Sequence, residues 1–244
     1  MRLKKEEPQK ERREKSKKEV IAWEAAGFAL FILAFADLLI PIALGDRADD
    51  YGWLILVVFF VLMIGSVVVL VYIFPDAAVL DLKKGIKKYN ARELTRLSHA
   101  GKQEVLETFR RHKFKETDLG FYRKKIFSFT KDSVCYYVAL TDAENVEKAW
   151  EKTAKQLETI QEKAKCVCLL VFLYKAQPTE QDQKVVRERA AWLLANEKVL
   201  PEAQGFNMVP ILVDTITGEG MYLSENHGIT VYAHGSRLLK KYIR

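Results

Sequence analysis

A long apolar stretch without a charged residue runs from Trp53 to Phe74. At 1.5 Å rise per residue, a helix of this length crosses the ~30 Å hydrocarbon core of a bilayer. Aromatic residues lie at both ends, Tyr51 and Trp53 at one and Tyr72 at the other, and such rings favour the headgroup region. The pattern therefore predicts a transmembrane helix over residues 53–74.

The preceding stretch, residues 20–44, is also apolar, although it contains Glu24 and Asp37. Alternating spacings of four and three give it a seam of mostly small side chains, namely Ala22, Ala26, Ala29, Leu33, Ala36, Ile40 and Ala43. Small side chains let helices approach closely in lipid. We therefore predict a first span that packs through this seam against Gly65 and Ser66 of the second. The same seam offers a surface for a homo-oligomer.

A cleaved signal peptide is an alternative for the first stretch. Ala34, Phe35 and Ala36 have the form of a cleavage site after a basic start and an apolar run. The apolar run is long for a removable signal, and cleavage would leave the apolar residues 38–44 as the new amino terminus.

The flanking charges predict the orientation of the hairpin. Nine Lys and Arg precede the first span in the arm 1–19, whereas the connection 45–52 has Arg47 against three aspartates. The basic residues that follow the second span are Lys83, Lys84, Lys87, Lys88 and Arg92. Because basic flanks remain in the cytoplasm, we expect a two-pass protein of the cell membrane with both termini cytoplasmic.

Residues 75–119 predict a basic helical connector. After Pro75, apolar residues recur at helical spacing, at Ala78, Leu82, Ile86 and Tyr89. This predicts a short helix on the membrane surface, with Lys83, Lys84, Lys87 and Lys88 near anionic headgroups; a solvated connector is the alternative.

Two further short helices are predicted in this connector. Asn90 to Glu93 has a capping-box pattern, which predicts a helix that carries Leu94 and Leu97 and ends at Gly101. The next helix carries Val105, Leu106 and Phe109.

Charge and cysteine content agree with a domain held at the cytoplasmic face. The net charge is +7, and residues 75–125 hold fourteen basic against seven acidic residues, while residues 126–244 are balanced at fifteen each. Anionic headgroups attract such a segment, so no nucleic-acid partner is required. Three cysteines, two of them in an apolar run, indicate reduced thiols rather than disulfides.

Residues 120–244 predict one cytoplasmic α/β domain. Two β-rich runs, 121–129 and 134–140, are separated by a turn near Lys131 and predict a hairpin. Three basic residues on its first strand, Arg123, Lys124 and Lys125, are interpreted as protection of a sheet edge.

Strands and helices then alternate. A capping box at Thr141 to Glu144 and another at Thr179 to Asp182 open amphipathic helices that extend to about residues 160 and 199. Apolar runs at 166–174 and 208–213 predict buried strands, the second near an edge because it contains Pro210. This order predicts a parallel core.

The carboxyl-terminal tail differs from this alternation. A turn at 217–220 leads to a strand at 221–224, a last short strand is expected at 229–233, and Ser236 caps a terminal basic helix. The predicted fold is a membrane helical hairpin followed by a three-layer α/β domain with a mixed, partly parallel sheet.

Signatures of catalysis or cofactor binding are weak. The chain has neither a phosphate loop nor a dinucleotide fingerprint, and no cofactor is predicted. Cys135, Cys166 and Cys168 would supply only three thiols in an apolar setting, so no metal is expected. Glu225 with His227 and His234 matches no metalloenzyme spacing.

Asp37 and Glu24 are candidate intramembrane polar sites. A carboxylate within a span is costly unless it faces protein or water, so a role in pairing, assembly or transport is the default hypothesis for Asp37. The alternative is a tolerated placement near the interface, without a functional role.

A ligand-site hypothesis places Thr141, Asp142, Lys175 and Asp214 together, because the carboxyl ends of parallel strands line a crevice. The competing interpretation makes Thr141 only a cap and Asp214 only a turn residue.

The functional hypothesis is a membrane-anchored regulatory, sensor or effector module with a binding domain for an unknown protein or small ligand. A tethered enzyme is the first alternative. An oligomeric pore or transport subunit, based on Asp37, is the second.

Overall fold

The computed structural model describes residues 16–40, 48–126, 134–158, 166–199 and 205–243. The chain divides into two compact units, Met1–Leu80 and Asp81–Arg244.

The first unit contains two long apolar helices, α1 (Lys17–Asp37) and the start of α2 (Ala48–Asn90). Ser16 and Glu19 form a capping box at the start of α1: the Ser16 hydroxyl accepts from the Glu19 amide at 3.3 Å, and the Glu19 carboxylate accepts from the Ser16 amide at 2.6 Å. Both helices are long and apolar enough to span a membrane, yet only 17% and 11% of their most apolar windows are buried. That exposure is opposite to what a core helix of a water-soluble protein shows.

The two helices pack as an antiparallel pair through one narrow stripe of α1. Its buried residues are Val20, Gly27, Ala34 and Asp37. The Ser66 hydroxyl, also buried, donates to the Gly27 carbonyl at 2.9 Å. A Cβ at Gly27 would lie 2.7 Å from Leu70 Cδ2, so glycine permits the close approach.

The predicted contact seam of α1 is wrong. Its members Ala22, Ala26, Ala29, Leu33 and Ala36 are all exposed. The face of α1 that contains Gly27 contacts α2 instead, because glycine has no Cβ and allows the two backbones to approach more closely than alanine does. Ser66 was correctly predicted as a contact, whereas Ala43 lies outside the described residues.

The predicted break between the second span and a separate short helix after Pro75 is also wrong. Pro75 lies inside α2, which continues to Asn90. Long apolar helices tolerate a proline, since one missing N–H does not end the remaining ladder. Leu82, Ile86 and Tyr89, which belong to the second unit, pack in one of its hydrophobic clusters.

Within the described residues, the second unit contains a seven-stranded mixed sheet in the order β1-β7-β6-β5-β4-β3-β2. Its strands are β1 (Thr95–Leu97), β2 (Lys115–Glu116), β3 (Tyr122–Ile126), β4 (Val134–Asp142), β5 (Cys166–Lys175), β6 (Phe206–Asp214) and β7 (Gly220–Tyr222). β4, β5 and β6 are parallel, and the remaining pairs are antiparallel. The parallel core and the β3–β4 hairpin are therefore confirmed, while the predicted turn near Lys131 lies outside the described residues.

Besides the end of α2, the described part of the second unit contains the helices α3 (Lys102–Arg111), α4 (Val146–Glu158), α5 (Glu180–Val199) and α6 (Val231–Tyr242). Alternate residues of β5 enter two hydrophobic clusters on the two sheet faces. Phe172 packs with Phe109 of α3 on one face, and Leu169 with Trp150 of α4 on the other. Gly235 of α6 allows close packing on the sheet, because a Cβ there would lie 2.5 Å from Cys168 Sγ.

For two segments, the sequence analysis predicts the wrong kind of secondary structure. Residues 95–97 form β1, paired with β7, rather than a helix, and Gly101 precedes α3 instead of ending a helix. Residues 231–233 begin α6 rather than form a strand. The Thr230 hydroxyl caps this helix by accepting from the Ala233 amide at 3.2 Å, whereas Ser236 is buried inside it.

One edge prediction is wrong. Pro210 lies in β6, which is internal to the sheet, and its position falls outside the three residues that pair with β7. The edge prediction for β3 holds in part: β2 pairs with Tyr122 and Arg123 only, so among the described residues Lys124 and Lys125 lie on the length of β3 that β2 leaves uncovered.

Candidate functional site

The carboxyl ends of β4, β5 and β6 bring the four predicted site residues to one edge of the sheet. In register, Asp142 pairs with Tyr174, and Lys175 with Asp214. Side chains alternate between the two faces of a strand, so Thr141, Lys175 and Asp214 share one face and Asp142 belongs to the other. The predicted set is therefore divided by the sheet.

Lys175 forms an ion pair with Asp182 in the first turn of α5. Its ammonium lies 2.7 and 2.8 Å from the two carboxylate oxygens of Asp182. Asp182 also accepts from the Thr179 amide at 2.8 Å and hydroxyl at 2.7 Å, which confirms the predicted capping box. Burial alone would raise the pKa of Asp182, but the hydrogen bonds from Lys175 and Thr179 outweigh it and lower that pKa.

Asp214 organises a turn. Its carboxylate accepts from the Ile216 amide at 2.9 Å and from the Gln177 amide at 3.3 Å. The Ile216 contact is local and matches the turn interpretation of this residue, whereas the Gln177 contact joins the turn to the loop that follows β5.

Thr141 is neither a helix cap nor a free hydroxyl. Its Oγ1 lies 3.2 Å from Thr153 Oγ1, and Thr153 donates its own proton to the Ala149 carbonyl, so Thr141 is the donor of the pair. The cap of α4 is Asn145, which accepts from the Lys148 amide at 3.0 Å. The predicted capping box at Thr141 is therefore wrong.

Asp142 forms a second cluster on its own face, with residues that sequence reasoning missed. Lys102 donates to both carboxylate oxygens, at 2.7 and 2.9 Å, and its ammonium lies 5.8 Å from the Tyr174 ring centre. The Tyr174 hydroxyl is buried and has no hydrogen-bond partner among the described residues. Burial, with Asp142 nearby, raises its pKa, so it stays a proton donor. No sequence signal links residues 102 and 142.

An aromatic cavity of about 360 Å³ opens between α4, α5 and the start of β6. Its apolar walls include Trp150, Trp192, Phe206 and Met208, and its polar lining includes Arg189 and Asn196. Trp192 and Phe206 remain 48% and 41% exposed, unusually high for such large rings. Arg189 lies 2.8 Å from Glu147 and is thereby oriented at the rim. Each tryptophan was placed on a predicted helix, but only tertiary packing brings the two together.

Two buried carboxylates at the opposite end of the sheet have structural partners. Glu197 accepts from the amides of Val231 and Tyr232, the latter at 3.0 Å, and from the Asn207 side chain at 2.5 Å. Glu225 lies 3.1 Å from Arg92. The loop around Glu225 is thus held by ion pairing and hydrogen bonds.

The histidines and cysteines do not assemble into a ligand set. His227 is exposed and meets Glu225 only through its backbone amide, at 3.1 Å. Cys166 and Cys168 face one side of β5, while Cys135 enters the opposite cluster. Within the part of the chain that is described, no three His, Cys, Asp or Glu side chains group as metal ligands.

Asp37 lies buried in the helical hairpin, at 8% exposure, and Glu24 is half-buried on the same helix. One Asp37 carboxylate oxygen has no hydrogen-bond partner among the described residues. Within the described residues, the helix pair therefore buries this carboxylate rather than leaving it on the outer surface.

Comparison of the chain with protein-family models, curated proteins and solved structures finds no match.

Proposed function

We propose that the chain is a membrane-anchored protein whose α/β domain is a cytoplasmic binding module with a regulatory, sensor or effector role. The observation that carries the proposal is the outward-facing apolar surface of α1 and of α2 up to Leu80. Ile32 is 66% exposed and Val71 67%, and similar side chains line both helices. Lipid tails cover such a surface at no cost, whereas in water it would drive association.

Membrane insertion and topology test this proposal together. The basic flanks predict that a reporter fused after Arg244 is cytoplasmic, and that a cysteine replacing Ala48 reacts with an impermeant maleimide from outside. The native cysteines are buried and give little background. Alkaline carbonate should leave the full chain in the membrane pellet. Release of the chain, or a carboxyl terminus accessible from outside, contradicts the proposal.

The binding role is supported by the aromatic cavity. A mostly apolar concave surface with a few polar groups is the usual form of a small-molecule site. The expected ligand has a flat apolar part that lies against Trp150 and Trp192 and a polar group that reaches Asn196.

Anilinonaphthalene sulfonate, which combines a flat apolar body with one polar group, is a suitable first probe. Replacing Trp192 by Ala should reduce its bound fluorescence at least severalfold, because the variant loses a wall of the cavity. Ile216→Ala is the matched control, since Ile216 is 64% exposed and lies away from the cavity lining. Equal losses in both variants contradict a specific site.

The two alternatives receive less support. A tethered enzyme would use the carboxyl edge, where Thr141, Asp142, Lys175 and Asp214 all have protein partners. A pore or transport subunit rests on Asp37 alone.

A further inference from the structure

A cationic surface lies where the ends of α3 and α6 meet. We define it by Arg111, Lys113, Lys124 and Lys241, which surround a stacked pair of rings. The rings of His112 and Tyr242 are 3.8 Å apart and inclined by only 8°. The stack joins the two helix ends, so the four cations belong to one surface.

These cations are poorly neutralised. Among the described residues, no carboxylate forms an ion pair with Arg111, Lys113 or Lys241. Lys124 donates to the His112 carbonyl, at 2.7 Å, rather than to an acid. Burial lowers the pKa of His112, and Lys124, Arg111 and Lys241 lower it further, as a positive local potential requires.

An open cavity of about 350 Å³ lies beside the stack, between Arg111, Lys241 and Tyr242 on one side and two acids, Glu104 and Glu107, on the other. Glu104 is turned toward His99, whose Nδ1 lies 3.7 Å away. The cavity lining thus holds two cations and two acids, and the excess positive charge of the surface comes from Lys113 and Lys124, which lie outside that lining.

The backbone conformation of Lys113 independently indicates that its charge has a role. It has a left-handed φ of 63° directly after α3. Its amide donates to the Arg110 carbonyl at 2.9 Å, and the Phe114 amide to Phe109 at 3.0 Å, which is the hydrogen-bond pattern of a Schellman cap. Glycine is favoured at that position because any Cβ is strained there. A lysine at this position places a charge where stability alone would favour glycine.

We propose that this cationic surface binds the anionic phospholipid headgroups of the membrane that holds α1 and α2. The inference rests on the proposed membrane anchoring and adds a second, reversible contact between protein and bilayer. Charge complementarity supports it, and the anchor supplies a high local lipid concentration. A nucleic acid fits less well, because single strands usually stack on free aromatic faces, and His112 and Tyr242 stack on each other.

The test uses the full chain in lipid nanodiscs, made either of phosphatidylcholine alone or with added phosphatidylserine. A fluorophore on Thr108→Cys reports from the wall of the cavity beside the surface. Nitroxide-labelled headgroups quench it on contact. We expect quenching in the anionic discs only, and its loss at about 1 M salt, where the Debye length is about 3 Å.

Charge-removing variants then assign the contact to this surface. Arg111→Gln, Lys241→Gln and Lys113→Gly should each lower the ratio of quenched to unquenched protein about fivefold, as expected for one basic residue near an anionic surface. Lys113→Gly should do so while the domain becomes more stable. Gln177→Gly is the matched control, because Gln177 also has a left-handed φ, of 50°, but no charge, so quenching should be unchanged.

Each other outcome overturns the inference. Equal quenching in both lipids, or quenching that the three variants do not change, contradicts headgroup binding by these residues. Binding of a labelled oligonucleotide with the same variant dependence, without quenching, assigns the surface to nucleic acid. A chain that enters the discs but is not quenched refutes this inference alone, whereas a chain that fails to enter them also refutes the proposed anchoring.

Discussion

Glu197 caps a helix that begins 34 residues further along the chain. Its buried carboxylate satisfies the amides of Val231 and Tyr232, two of the free donors at the start of α6. A negative charge at that end also complements the helix dipole. One side chain of α5 thus sets where α6 begins.

Replacing Glu197 by Ala should lower the free energy of unfolding by about 3 kcal/mol, because two amides and the Asn207 side chain lose their acceptor in a buried site. Urea unfolding followed by circular dichroism measures this. Glu188→Ala is the control on the same helix, since Glu188 is exposed and its nearest ionic partner, Lys184, is 4.0 Å away. That control should change stability by no more than about 0.5 kcal/mol. A comparable effect of both variants would refute the capping role.

Asp182 makes part of the stability dependent on acid. The folded-state pKa of this carboxyl lies below its ordinary value of 3.8, so its contribution is complete above that value and is lost as pH falls through the folded pKa. The wild-type protein should lose stability between about pH 5 and about pH 3 more steeply than Asp182→Asn. Parallel slopes in the two proteins would contradict the assignment.

Glycine decides which side of α1 contacts α2. At Gly27 an added side chain meets Leu70, whereas at Ala29 it extends from an exposed position. Gly27→Leu should therefore separate the two helices. Disulfide cross-linking of cysteines introduced at Trp23 and Tyr72, whose rings lie 6.2 Å apart, should become several times less efficient.

Ala29→Leu provides the control for that experiment. It should leave the cross-link between the two helices unchanged while weakening any homo-oligomer that uses the exposed seam. If Ala29→Leu disrupts the hairpin and Gly27→Leu does not, the observed packing stripe is refuted.

Periodicity predicts long elements well and short ones poorly. The strands β4, β5 and β6 and the helix α5 follow from apolar runs and a capping box. The strand β1 could not be predicted in this way, because three residues are too few to show a periodic pattern. Only their pairing with β7 makes them a strand. The start of α6 was missed for a related reason: Val231 and Tyr232 alternate like a strand, and their cap acceptor, Glu197, comes from a distant helix.

The candidate site also depends on contacts between distant residues, which sequence patterns do not reveal. The topology placed Lys175 and Asp214 side by side, as the register shows. It did not reveal that both have protein partners, because Asp182 and the Gln177 amide meet them through loop geometry. The aromatic cavity and the cationic surface depend on contacts between elements that are distant in sequence.

At the scale of the whole molecule, the division into two compact units predicts autonomy. Residues 81–244 contain the complete described sheet and both hydrophobic clusters. Produced alone, this segment should be soluble and unfold in one cooperative transition, as small domains usually do. Thermal unfolding by circular dichroism tests it. Aggregation without a transition would mean that the α/β core needs residues 1–80.

Both outer strands of the sheet are very short, two residues in β2 and three in β1. A short edge strand offers few unpaired amides and carbonyls to another sheet. Proteins anchored in one bilayer meet repeatedly at high local density and with restricted orientation. For a chain anchored in the way we propose, the short outer strands would limit the pairing of neighbouring copies into a continuous β-structure.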